Sequence, residues 1–140
     1  MRYTIDASVF ISAFILSEPQ HQVSRACLDQ LVQKQATIFC PTLALVETAS
    51  AIARVTGDEK HAIAFASALA NFPNTELIAL DEMLAQKAVF CGAMAKLRGA
   101  DAVYAAVAED ASCLLITWDK ELLLRAKSIV QTCTPETFSI

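Results

Sequence analysis

What most constrains this chain is the way its apolar segments change period along its length: short apolar runs alternate with longer stretches repeating at helical spacing. Arg2 to Ile5 reads as a strand and Ala7 to Leu16 as a helix. Gln22 to Gln35 places Val23, Ala26, Cys27 and Leu31 on one helical face, and Thr37 to Cys40 reads as a second strand. Pro41 suits a helix start, and Leu43 to Val55 continues helically to a stop at Gly57. Asp58 caps a helix running to Asn71, ahead of Pro73. Glu76 to Leu80 predicts a third strand, Glu82 to Leu97 a long helix ending near Gly99, and Asp101 to Asp110 an Ala-rich helix. Cys113 to Thr117 is a continuous apolar run of the kind a buried parallel strand carries, followed by a short helix from Lys120 to Lys127 and a fifth strand from Ser128 to Thr132. Strands that alternate with helices pair in parallel, and the crossover helices must cover both faces of the sheet. The expected fold is therefore a three-layer α/β domain around a parallel sheet of four to five strands, one domain over residues 1–140.

Composition supports this reading and limits the alternatives. A hydrophobic fraction of 55% with three Gly and four Pro excludes a disordered chain. The chain is apolar enough that a second copy or a partner is expected to cover part of its surface. Five widely separated cysteines show neither zinc-knuckle nor redox spacing, and read as buried thiols in a reducing compartment. No stretch reaches the roughly 20 apolar residues of a membrane span, and the apolar run after Arg2 lacks a cleavage site. The expectation is a soluble, cytoplasmic protein with no membrane partner. The net charge of −4 argues against nucleic-acid binding unless bound cations supply the positive charge at the point of contact.

The acidic residues carry the functional signal. Asp6, Asp81 and Asp119 all stand where a strand gives way to a helix, and any one of them alone reads as a helix cap. Topology separates them. Ligands of open parallel sheets bind beyond the carboxyl ends of strands where the strand order reverses. With the first and fourth strands as central neighbours, Asp6 and Asp119 face one crevice, while Asp81 lies at the edge as a cap. Glu47 stands on a stripe of Leu43, Ala44, Ser50 and Ala51, so its carboxylate needs a partner, a hydrogen bond or a metal, or else reaches solvent at the edge of the stripe. Asp101 opens its helix, with capping as the default reading, and the stripe through Tyr104, Ala105 and Ala108 points at the sheet. Glu109 and Asp110 read as solvated charges, and His21 and His61 as surface residues. Clustered carboxylates repel one another, and hard divalent ions prefer such oxygen donors. The cluster thus points to cation-assisted hydrolysis of a phosphodiester, in which metals ionise a water and stabilise the leaving oxygen.

These residues also carry a family resemblance. Thr4-Ile5-Asp6-Ala7-Ser8 resembles the first strand and first acid of PIN domains. Leu45-Val46-Glu47 resembles the segment with their second acid, Leu97 to Ala108 around Asp101-Ala102 the third-acid helix, and Thr117-Trp118-Asp119 the Thr/Ser-x-Asp that closes the fourth strand. The likeness covers essentially the whole chain, and its short, stand-alone form resembles the toxin half of VapBC toxin–antitoxin pairs. It implies strand order 3-2-1-4-5, Mg²⁺- or Mn²⁺-dependent endonucleolytic cleavage of RNA, a homodimer and a cognate antitoxin. Carried over by position, Asp6, Glu47, Asp101 and Asp119 are the expected metal ligands. Thr117 is the expected assisting hydroxyl, with Ser8 in a similar role. Trp118 reads either as a stacking surface for a base or as a buried side chain. Lys96, Arg98 and Lys120 flank the acids and read as solvated charges or phosphate contacts.

Other classes fit less well. An aspartyl-phosphate phosphatase wants a second Asp two residues after the first, where Ser8 stands. A receiver domain could use Asp81 after the third strand as its phospho-acceptor, but its acidic pair after the first strand and its late Lys after a strand are missing. A PIN-fold processing nuclease without a toxin role, or a PIN-like module that binds RNA or a partner without cleaving, remains the alternative, although all four acids are present.

Overall fold

The computed structural model describes residues 1–140. Its elements follow in the order β1 (Arg2–Ile5), α1 (Ala7–Phe14), α2 (His21–Gln33), β2 (Thr37–Pro41), α3 (Leu43–Thr56), α4 (Glu59–Ala70), β3 (Thr75–Ile78), α5 (Glu82–Ala95), α6 (Gly99–Asp110), β4 (Leu114–Ile116), α7 (Lys120–Arg125) and β5 (Thr132–Cys133). The strands form one sheet in the order β3-β2-β1-β4-β5, with every neighbouring pair parallel. The expected three-layer fold and strand order both hold.

The sheet is ordered around β1, whose Thr4 stands beside Phe39 of β2 on one side and Leu115 of β4 on the other. Ile5, Ile38, Leu115 and Ile116 on these three strands are fully buried. Burying one such side chain stabilises the fold by about 1.5–3 kcal/mol, so slipping the register would cost several of them at once. α6 packs directly on β1, β2 and β4 and is buried over every residue from Asp101 to Ala108. Alanines and valines make that approach possible. α5 lies against α6, where Gly92 is so near that an added Cβ would come to 3.3 Å from the Ala102 Cβ. α3 stops at Gly57, whose φ of +68° lets its N–H bond back to the Ala53 carbonyl.

Some boundaries differ from the expectation. Ser128 to Thr132 does not form the fifth strand. A 3-10 turn occupies Ala126–Ser128, and the Ile129 and Val130 N–H groups both bond to the Ala126 carbonyl, at 2.8 and 2.9 Å. Only Thr132–Cys133 pairs with β4. Ile129 and Val130 still pack on the core, so their apolar character reflects burial of a turn. α6 begins at Gly99 with Arg98 as its N-cap, which places Asp101 inside the first turn and leaves it no capping role. Cys27, Cys40 and Cys91 are buried thiols as expected, while Cys113 and Cys133 are half-buried. No helix is long and apolar enough to cross a membrane.

Candidate active site

The site forms at the carboxyl edge of the two central strands, where the strand order reverses. β1 ends at Ile5, opposite Ile116 of β4. The Asp6 N–H extends the ladder by one bond to the Ile116 carbonyl at 3.0 Å, and the chain then turns into α1. Asp6 is only 6% exposed. Its Oδ2 accepts from the Ser8 N–H at 3.3 Å, capping α1, from the Thr117 hydroxyl at 2.8 Å, and from the Ser8 hydroxyl in a short bond. Oδ1 accepts none of these.

β4 supplies the opposite wall. Thr117 is fully buried, and its Oγ1 donates to Asp6 while accepting from the Asp119 N–H at 3.0 Å. One hydroxyl thereby sets the position of both aspartates. Asp119 caps α7 through Oδ1, which accepts from the Leu122 N–H at 2.9 Å, and its Oδ2 faces Arg98. Capping and membership of the cluster therefore coexist in Asp6 and Asp119. The Trp118 N–H donates to Ser8 Oγ at 3.1 Å, and its indole N–H to Ser24 Oγ at 2.8 Å. Ser24 is in turn bonded to Ser12 at 2.6 Å. The indole is thus tied against α1 and α2 and half-buried against the core, which falls between the two readings. His21 is also anchored, with Nδ1 3.0 Å from the Ser12 carbonyl, so it is less a free surface residue than expected.

Two helices complete the cluster. Glu47 on α3 is half-buried, and its Oε2 accepts from the Tyr104 hydroxyl at 3.2 Å. The same Tyr104 oxygen accepts from the Ala7 N–H at 3.3 Å. Tyr104 is fully buried and braces Glu47 against the residue that follows Asp6. Asp101 is 8% exposed, and Arg98 Nε donates to its Oδ2 at 3.1 Å while Arg98 Nη2 donates to Asp119 Oδ2 at 2.8 Å. Arg98, although 64% exposed, therefore bridges two acids of the cluster. Asp6, Glu47, Asp101 and Asp119 line one cleft together with Ser8, Ser50, Arg54 and Arg98. Lys96 and Lys120 are exposed and outside that lining. Asp81 is exposed and only caps α5, accepting from the Leu84 N–H at 2.8 Å.

Electrostatics follow from this crowding. Burial raises the Asp6 pKa, the Ser8 and Thr117 bonds pull it back, and the Asp101 charge raises it again. Burial followed by the Asp6 charge raises Glu47, against the Tyr104 hydrogen bond. Burial raises Asp101, against Arg98. Cys40 beneath the cluster is pushed up to about 12 by burial and by Asp6 and Glu47, so it is an inert thiol. Four carboxylates and two guanidiniums leave the cleft short of positive charge. Its donors are oxygens only, which suits a hard divalent cation. As the side chains stand, no three His, Cys, Asp or Glu groups close tightly enough to hold an ion; Arg98 is the counter-charge between Asp101 and Asp119.

Two functional candidates were not singled out as site residues from sequence. Tyr104 stands three residues after Asp101, one helical turn along the inward stripe, but its contact with Glu47 is purely tertiary. Arg54 stands seven residues after Glu47 on the same stripe of α3, a signal that helical spacing offers directly.

The PIN domain family profile matches residues 3–128. Among solved structures, the chain is similar to VapC20 of Mycobacterium tuberculosis, described as a sarcin-ricin loop cleaving toxin. Identity is 16%, with 92% of this chain and 97% of that one covered, and the TM-score is 0.74. It is also similar to VapBC2 of Rickettsia felis, bound to a DNA fragment from its promoter, at 14% identity, 96% and 98% coverage and a TM-score of 0.71. A third is FitAcB of Neisseria gonorrhoeae, at 18% identity, 97% and 99% coverage and a TM-score of 0.70. No match is found among curated protein sequences.

Proposed function

The chain belongs to the PIN domain family, and from that membership we propose that it is a metal-dependent endoribonuclease, the toxin of a toxin–antitoxin pair. The observation that carries the chemistry is the convergence of four carboxylates, each from a different part of the fold, in one cleft at the reversal of strand order. Asp6, Glu47, Asp101 and Asp119 would hold Mg²⁺ or Mn²⁺. When bound, such ions lower the pKa of a water and neutralise charge on the phosphodiester being cut.

The chain's own residues supply the positioning. Asp6, fixed from the protein side through Oδ2, presents Oδ1 from the floor of the cleft. Thr117 keeps Asp119 in register with Asp6. Glu47 is braced by Tyr104, which holds its carboxylate in the cleft. Arg98 holds Asp101 and Asp119 together from the open side.

The toxin role is supported by the similarity to VapC20, VapBC2 and FitAcB, and it brings with it an antitoxin partner, a homodimer and a cytoplasmic site of action. Met83, Val89, Phe90 and Met94 on α5 are all at least 62% exposed, which supports a second chain covering that helix. The experiment is to incubate the purified chain with single-stranded RNA, with Mn²⁺ and with EDTA. Cleavage with Mn²⁺ that stops with EDTA and is absent in Asp6→Asn supports the nuclease. Expression should arrest growth, and a small protein encoded beside it should relieve the arrest; cleavage without arrest would replace the toxin by a processing nuclease.

A further inference from the structure

We propose that Arg54 is the side chain that grips the RNA backbone beside the carboxylate cluster, making the α3 wall of the cleft a subsite for a phosphate next to the one being cut. The proposal rests on the nuclease reading and names the part of the site that faces its anionic substrate. The cleft is lined by Asp6, Glu47, Asp101 and Asp119 with only two cations, Arg98 and Arg54. Arg98 is committed: its guanidinium reaches Asp101 at 3.1 Å and Asp119 at 2.8 Å, with Glu121 at 3.8 Å. Arg54 takes part in no ion pair and no hydrogen bond of its side chain, so of the two cations lining the cleft it is the uncommitted one.

Its place on the helix gives the geometry. Glu47, Ser50, Ala51 and Arg54 recur at helical spacing along α3 and all line the cleft. Seven residues advance about 10 Å along the axis, so the guanidinium lies beyond the reacting phosphate and meets its neighbour. Between them Ser50 and Ala51 are too small to wall off a strand of RNA. Arg54 also stands in the last turn of α3, where a cation complements the helix dipole. That role is served by any orientation of the side chain and does not require it to face the acids. An acidic protein that binds a polyanion needs an uncommitted cation at the point of contact, and Arg54 is the one that this cleft offers.

The test compares Arg54→Gln, Arg54→Lys and Lys127→Gln with the wild type. Lys127 removes the same charge at the opposite end of the sheet, beside Leu114 and Thr132 at the starts of β4 and β5. Affinity for a fluorescent single-stranded RNA is measured in EDTA over a range of salt, and kcat and KM with Mn²⁺. Arg54→Gln should weaken binding and raise KM by about fivefold or more, with kcat nearly unchanged, and should reduce the salt slope by about 0.7, the loss of one phosphate contact. Arg54→Lys should recover part of the affinity, and Lys127→Gln should change little. Equal losses in Arg54→Gln and Lys127→Gln would reduce the effect to net charge and overturn the proposal, as would an unchanged Arg54→Gln. A wild type that binds RNA in an Arg54-dependent way but never cleaves it would sink the nuclease reading and leave this contact standing.

Discussion

Asp6 and Asp81 occupy the same position in local sequence and opposite positions in the molecule. Asp6 follows β1 directly and Asp81 follows β3 after Ala79 and Leu80, and each caps the next helix by accepting a backbone N–H, from Ser8 and from Leu84. Asp6 leaves the central strand beside β4, is almost wholly buried, and receives two further hydroxyl bonds. Asp81 follows the edge strand β3 and is exposed. The difference shows that an aspartate after a strand joins the carboxylate cluster only through its neighbours across the sheet. Asp119 confirms the point, since it caps α7 and still joins Asp6 through Thr117.

The largest effect that could break this comparison is on RNA cleavage. Asp6→Asn should lower kcat by about a thousandfold or more, equivalent to roughly 4 kcal/mol of lost transition-state stabilisation. Asp81→Asn should cut RNA at the wild-type rate. Comparable losses in both would mean that the cleft is not the reacting centre. Next in size is Thr117→Val, which keeps the volume but removes the hydroxyl shared by Asp6 and the Asp119 N–H. We expect about a ten- to hundredfold loss of activity or metal affinity, as for other residues that orient ligands; wild-type turnover would show that the bond between the two strands is dispensable.

The site was partly legible in the sequence, and the limits are physical. The parallel sheet followed from alternating periods, whereas the strand order that brings Asp6 and Asp119 together and sets Asp81 apart was implied by the PIN resemblance and not by any local pattern. Glu47 announced a need for a partner because a carboxylate on an apolar stripe is costly. The partner itself, Tyr104, comes from a helix 57 residues later, and no local pattern encodes that contact. Arg98 read as a surface charge because its pairing with Asp119 spans 21 residues. The fifth strand was misplaced because two residues of ladder leave no period to read, and the buried turn before it is equally apolar.

The smallest predicted effect is on stability against pH, measured by denaturant unfolding with divalent ions chelated. Folding raises the pKa of Asp6, Glu47 and Asp101. The folded chain therefore holds more protons than the unfolded one between the ordinary and the raised carboxylate values, and stability falls as pH rises through that window. Glu47→Gln should flatten part of that fall and leave the variant more stable at neutral pH, by about 1 kcal/mol or less given solvent screening and the weaker bond that the Gln oxygen accepts from Tyr104. A stability that rises with pH across the window would contradict the crowding of these acids.

The central claim is that the carboxylates at the reversal of strand order form one cation-binding centre, distinct from the capping aspartate at the edge. Calorimetric titration with Mn²⁺ of the wild type, Asp6→Asn and Asp81→Asn tests it most directly. Saturable binding in the wild type and Asp81→Asn, lost or weakened at least tenfold in Asp6→Asn, is the predicted result. No saturable binding in the wild type, or equal affinity in Asp6→Asn, would contradict it.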